Sequence, residues 1–227
     1  MTTTPVKPLV IIGAGEIAEI ACEYFDHDSD RDVVAFCIGA EYIKAPQIMN
    51  RPLTPLADLT TAYPPEQFDA FVAIGDGQLN RLRRRHVDLC RAAGYRLASY
   101  VSSKAFVWRN VAIGENCLIL EHNVLQPFTT VGDNVILWSG NHIGHRTVVE
   151  DDVFMSSHVV VSGFCRIGAR SFIGVNVAIA PHVEVACDNY IGMGAIVTAS
   201  TEPDGLYQGN PAERRKVSAK RFCRVRD

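Results

Sequence analysis

The stretch Val131-Gly132-Asp133-Asn134-Val135-Ile136-Leu137-Trp138-Ser139-Gly140-Asn141-His142-Ile143 places aliphatic side chains six residues apart, at Val131, Leu137 and Ile143. Followed outward, the spacing runs without an insertion through Ile113, Ile119, Leu125, Val131, Leu137, Ile143, Val149, Met155, Val161, Ile167, Ile173, Ile179, Val185, Ile191 and Val197. Two residues before these positions lie small or β-branched residues such as Val111, Cys117, Thr129, Val135, Cys165 and Ser171. The residue after is often glycine, as at Gly114, Gly132, Gly144, Gly168, Gly174 and Gly192. A fixed period over this length marks a repeat architecture.

The period dictates the geometry. Six residues make one short strand and one corner, and alternate side chains of a strand share a face. The aliphatic residue and the one two before it therefore point the same way. Three such sides close into a triangular coil, and a single hexad cannot bury its apolar side chain, so coils must stack. Glycine and asparagine near the corners suit backbone with positive φ. A β-helix from about Ala105 to Val197, with these aliphatics inside, is the expected fold of the second part of the chain.

The chain has 227 residues, enough for one large or two modest domains. A net charge of −3 gives no general attraction to nucleic acid or anionic membrane. Met1 to Lys7 lacks the apolar core of a signal peptide, and no apolar run is long enough to span a bilayer. The seven cysteines show no tight spacing pattern, and Cys117 and Cys165 occupy small inward positions of the repeat. A reduced, cytoplasmic protein without structural disulfides is expected.

The first third alternates strands and helices. Pro8 to Ile12 reads as a buried strand that enters Gly13-Ala14-Gly15-Glu16-Ile17-Ala18 and a helix to about Phe25. Asp32 to Ile38 and Phe68 to Ile74 read as further strands, Pro55 to Leu59 as a connection, Leu79 to Ala93 as a helix and Tyr95 to Val101 as a last strand. The expected fold class is thus a small Rossmann-like parallel α/β sheet over residues 1–103, then an all-β left-handed parallel β-helix with a basic tail over 104–227. Backbone N–H groups of a glycine turn at a helix start favour phosphate. A dinucleotide site wants a carboxylate ending the second strand, and none occurs before Glu41, so a nucleotide-linked substrate fits better than NAD. Gly75 and Asp76 end another strand, and Arg81, Arg83, Arg84 and Arg85 follow as a solvated face or as partners of a diphosphate.

Taken together, the Gly13-Ala14-Gly15 turn, the Val72-Ala73-Ile74-Gly75 strand end, the hexads, Ile143-Gly144-His145 and Gly209-Asn210-Pro211-Ala212 resemble the bacterial nucleotide-aminosugar N-acetyltransferases. These belong with the sialic-acid O-acetyltransferase-like hexapeptide-repeat acyltransferases. The left hand of the β-helix comes from this resemblance. It further implies a nucleotide sugar on the first domain, at Gly13, Ala14, Gly15, Glu16, Gly75 and Asp76. It implies a homotrimer, with acetyl-CoA or another acyl-CoA between neighbouring β-helices near Gly163, Val175, Met193 and Gly194, and no metal. Arg214 opens a basic tail suited to CoA phosphates. The catalytic histidine motif falls on His145. Arg146 stands where the family often has an acidic residue, and Phe154 where a second histidine occurs.

Acyl transfer from a thioester to an amine needs a neutral amine, close approach and a proton acceptor, and neutral histidine suits the last task. His145 is the expected base, His142 a second contributor, and Glu121, Glu150 and Asp151 candidates to orient the ring. O-acetylation of a sugar hydroxyl is the alternative within the class. A zinc hydratase using His142, His145 and His158, and a non-catalytic scaffold, are the alternatives outside it.

Overall fold

The computed structural model describes residues 6–226. Met1 to Pro5, most of the stretch read above for a leader, and Asp227, the last residue of the tail, lie outside the described residues. Two compact units result: residues 1–75 with 85–100, and residues 76–84 with 101–227. Residues 76–84 group with the second unit.

In the first unit β1 (Leu9–Ile12) is fully buried and has a strand on either side. It pairs in parallel with β2 (Val33–Ile38) on one side and β5 (Asp69–Val72) on the other. Continuous apolar runs such as Leu9-Val10-Ile11-Ile12 suit a parallel strand covered on both faces. Two strands were not expected. β4 (Arg51–Pro55) pairs in parallel with β2, and β3 (Gln47–Ile48) adds an antiparallel edge, giving the order β3-β4-β2-β1-β5. The connection was expected only from Pro55 to Leu59; the prolines at 52 and 55 are tolerated in β4 because it lies toward the sheet margin. Helix α1 (Glu16–Asp28) buries Ala18, Ala21, Cys22 and Phe25. Of the expected strand Tyr95 to Val101, only Leu97, bridged to Ala70, and Tyr100–Val101 pair.

The second unit is the left-handed β-helix. Two-residue strands form three parallel sheets, and each strand pairs with the one a full coil later, as Val124 with His142 and Leu125 with Ile143. The register expected from the sequence holds. Ile119, Leu137, Ile143 and Ile173 have no exposed surface, and Cys117, Thr129, Val135, Cys165 and Ser171 are buried beside the column. Leaving Ile113 half-buried at the first coil is the cost of starting a stack.

Every coil turns at residues of positive φ, and these line up in three columns. The first is His122, Gly140, His158, Asn176 and Gly194; the second Phe128, Arg146, Phe164 and His182; the third Asn116, Asn134, Asp152, Arg170 and Asp188. The third column is closed by segment 76–84. Asn116 donates to Asn134 and Asn134 to Asp152, one coil apart each time, at 2.9 and 2.7 Å. Arg83, wholly buried, donates to the Asn134 side-chain and backbone oxygens, each at 2.9 Å. Arg81 meets Asp188 at 2.6 Å and Arg84 meets Asp152 at 3.3 Å. Arg81, Arg83 and Arg84 thus pin a loop and the start of the helix Arg81–Ala92 to the coils of their own unit. Burial pushes Arg83 down to about 10. Burial would also raise Asp188, but hydrogen bonds from Arg170 and Arg81, with their charges, hold its carboxyl below the ordinary value.

Candidate active site

His145 stands immediately before the second column, at an exposed corner. Its environment is built by the coils on either side. Gln126, from the preceding coil, reaches across with its side-chain oxygen, which accepts the His145 backbone N–H at 3.0 Å and lies 3.3 Å from Nδ1. Gly163, one coil on, provides the floor: a Cβ there would come within 2.6 Å of the His145 Cε1. Phe164 meets the imidazole edge to face, with centroids 5.1 Å apart, and stacks on His182 at 5.0 Å. Arg146 directs its guanidinium onto the Phe128 ring, 4.5 Å from the centroid. Among the described residues the expected orienting carboxylates have partners of their own. Glu121 accepts from Ser139 at 2.7 Å, Asp151 from the Asp133 backbone at 2.9 Å, and Glu150 pairs with Arg166.

This corner is costly. Phe128, Arg146, Phe164 and His182 carry φ between 56° and 64°, where side chains with a Cβ are disfavoured by about 1 kcal/mol each. At the other corners the same backbone is met largely by Gly, Asn and Asp. Bulky residues held in this conformation, half-exposed, with a histidine beside them, are the kind of strain that gathers at functional sites.

His142 sits one residue before inward-facing Ile143, pairs with Val124 and Val160, and points off the sheet, half-buried. The expected acyl-CoA residues separate onto two corners. Gly163 lies under His145, whereas Val175, Met193 and Gly194 belong to the first corner. There Gly194, at φ 68°, donates its N–H to the Val175 carbonyl at 2.8 Å, and Met193 is 80% exposed. Arg214, with Arg215, Lys216 and Ser218, lines a cationic pocket of about 370 Å³. Among the described residues no three His, Cys, Asp or Glu side chains gather as a metal-ligand set, so His142, His145 and His158 do not converge within the chain.

In the first unit, Gly13 is required by geometry. Its φ is 128°, and a Cβ would lie 2.4 Å from the Ala73 carbonyl oxygen. The turn is thereby pressed against the end of β5, and Ala14 and Gly15 are left lining a cleft of about 500 Å³. Its other walls are Ile38, Tyr42, Lys44, Ala45, Gln47, Ile48 and Leu53. Sequence reading missed these, because a loop after β2 carries no period; only their place beyond the carboxyl end of a strand signals a ligand site. Gly75 lies near Ile17, whose side chain would be 3.9 Å from a Cβ placed there, and Asp76 accepts the Asn80 backbone N–H with its carbonyl at 3.1 Å. Glu16 opens α1.

The fold, an α/β unit and a left-handed β-helix, is similar to that of solved acetyltransferase structures. The solved structures it matches include PerB from Caulobacter crescentus in complex with CoA and GDP-perosamine, at TM-score 0.84 and 24% identity over 93% of this chain and 98% of that one. They also include the acetyltransferase domain of PglB from Neisseria gonorrhoeae, at TM-score 0.82 and 24% identity over 92% of this chain and all of that one. Curated relatives match over a shorter stretch. An acyl-(acyl-carrier-protein)–UDP-N-acetylglucosamine O-acyltransferase of Sinorhizobium fredii is 26% identical over 108 residues, 44% of this chain and 40% of the relative. A UDP-3-O-acylglucosamine N-acyltransferase of Methylococcus capsulatus is 27% identical over 112 residues, 49% of this chain and 31% of the relative. The chain thus spans under half the length of these relatives. No family model matches it. Among the described residues no helix is long and apolar enough to cross a membrane.

Proposed function

We propose that this chain transfers the acetyl group of acetyl-CoA to the amino group of a nucleotide-linked amino sugar, in one ternary complex, with His145 as general base. The observation that carries the reading is the His145 corner: an exposed imidazole, fixed from three sides, on a fold shared over nearly the whole chain with an N-acetyltransferase crystallised with CoA and a nucleotide amino sugar. The amine nitrogen attacks the thioester carbon, the C–N bond forms as the C–S bond breaks, and the amine proton passes to His145 and on to the departing thiolate. No covalent enzyme intermediate is needed. Holding both reactants in place supplies much of the remaining acceleration. His142, on the adjacent strand, shapes the acceptor site.

The nucleotide is assigned to the cleft at Gly13, Ala14, Gly15 and Glu16, with Gly75 and Asp76 as further contacts. Acetyl-CoA is assigned to Gly163, Val175, Met193 and Gly194, with Arg214 for its phosphates. Because Gly163 and the Val175–Met193 pair occupy different corners of one β-helix, a single CoA meets both only if neighbouring chains pair unlike corners. A homotrimer satisfies this, and half-exposed Phe106, Val160 and Phe164 offer it apolar surface.

Thiol release from acetyl-CoA against a panel of UDP-, GDP- and dTDP-linked amino sugars, each beside its hydroxyl analogue, tests the reading. Release that requires the amine supports it. Release only with the hydroxyl analogues converts it to O-acetyl transfer, close to the O-acyl transfer in the name of the Sinorhizobium relative. No release with any sugar overturns it.

A further inference from the structure

We infer that Gln126 is the positioning residue of this site: its neutral side-chain amide locks His145 in the tautomer that carries hydrogen on Nδ1 and leaves Nε2 free to accept a proton. The inference rests on His145 as the base and adds what holds it ready. The deduction follows from donors and acceptors. A backbone N–H can only donate, so the Gln126 atom 3.0 Å from the His145 backbone nitrogen is the carbonyl oxygen, not the NH₂. That same oxygen lies 3.3 Å from Nδ1. An acceptor facing a ring nitrogen requires that nitrogen to carry the hydrogen, so the other nitrogen of the neutral ring, Nε2, holds the lone pair. The ring is also packed. Phe164 lies across it at an interplanar angle of 82°, and Gly163 leaves room for Cε1 that any side chain would fill. Gln126 itself is placed by the coil, its backbone N–H donating to the Ile143 carbonyl at 3.0 Å.

The choice of an amide over a carboxylate has a chemical consequence. A carboxylate at this position would favour the charged imidazolium; an amide selects the tautomer without that charge. The other titratable groups beside the ring are Arg146, next in the chain and directed onto Phe128, and His182 on the far side of Phe164.

The test uses two variants of the full chain. Nitrogen-15 NMR of the ring nitrogens, assigned through His145→Ala, reads the tautomer without substrate. The wild type is expected to show Nδ1–H, and Gln126→Leu a mixture of tautomers. With acetyl-CoA and the nucleotide amino sugar that the panel accepts, Gln126→Leu should lose roughly tenfold in kcat, part of the 10²–10⁴ a general base supplies, with KM for acetyl-CoA changed less than about twofold. Gln126→Glu keeps the acceptor oxygen. It should restore the tautomer and, at high pH, the rate, while moving the acid limb of the kcat profile upward by about one pH unit. A purely structural role for Gln126 would not produce that displaced limb. A wild-type ring with hydrogen on Nε2, or a Gln126→Leu enzyme with unchanged kcat, overturns the inference, and both outcomes leave the His145→Ala result to judge the base by itself.

Discussion

Two corners of the same β-helix solve one backbone problem in opposite ways. Both must place a residue at φ near 60° in every coil. The third corner does so with Asn116, Asn134, Asp152, Arg170 and Asp188, whose polar groups bond along the stack and to segment 76–84. The second does so with Phe128, Arg146, Phe164 and His182, which gain ring stacking and a cation over an aromatic face but leave apolar surface in water. The first arrangement is one that stability alone explains. The second retains strain and exposure, and it is the one beside His145.

That contrast predicts separable effects. The largest on stability belongs to Asp188, which sits nearly buried between Arg81 and Arg170. Asp188→Asn should destabilise the fold by about 3 kcal/mol at pH 7, since it removes the carboxylate that pairs with two arginines. The sign with pH is fixed by its carboxyl lying below the ordinary value of 3.8. Its stabilisation is complete above that value and is lost as pH falls through the lower folded value, so urea unfolding of wild type and variant should converge below about pH 3.8. Equal differences at pH 7 and pH 3 would break the claim that this corner is held by charge.

Asn134→Leu should cost about 2 kcal/mol, because buried Arg83 loses one of its side-chain acceptors. Adding Arg83→Met should recover part of it, and a double variant less stable than either single one would show that the pair is not a unit. Smallest in stability is Phe164→Asn. Asparagine tolerates positive φ, so relief of strain offsets lost stacking and the midpoint should move by less than about 1 kcal/mol. Its turnover should nonetheless fall about tenfold, since the ring that braces His145 is gone. Unchanged turnover would make the second corner merely a surface.

How much of this was legible in advance follows from period. Interior positions recur every six residues, so Ile119, Leu137 and Ile173 could be assigned inside before any coordinates. The glycine turn was legible because strand, turn and helix follow directly in the chain. Gln126 was not. It lies 19 residues from His145 and becomes its neighbour only when a coil closes. Glu121, Glu150 and Asp151 could be named as candidates, but the sequence does not say which coil faces which ring. Arg83 misled for the same reason: four arginines in five residues look solvated until Asn134 is seen above one of them. The strained corner was also hidden, because Phe and Arg carry no signal for positive φ, whereas the Asn and Gly of the other corners do.

The most direct measurement is steady-state acetyl transfer by His145→Ala and His142→Ala beside wild type, at saturating acceptor, with acetyl-CoA affinity measured by calorimetry on the same samples. The account predicts a loss of roughly 10²- to 10⁴-fold in turnover for His145→Ala, a smaller one for His142→Ala, and unchanged acetyl-CoA affinity in both. Near-normal turnover in His145→Ala together with its loss in His142→Ala would contradict it and move the base to the adjacent strand.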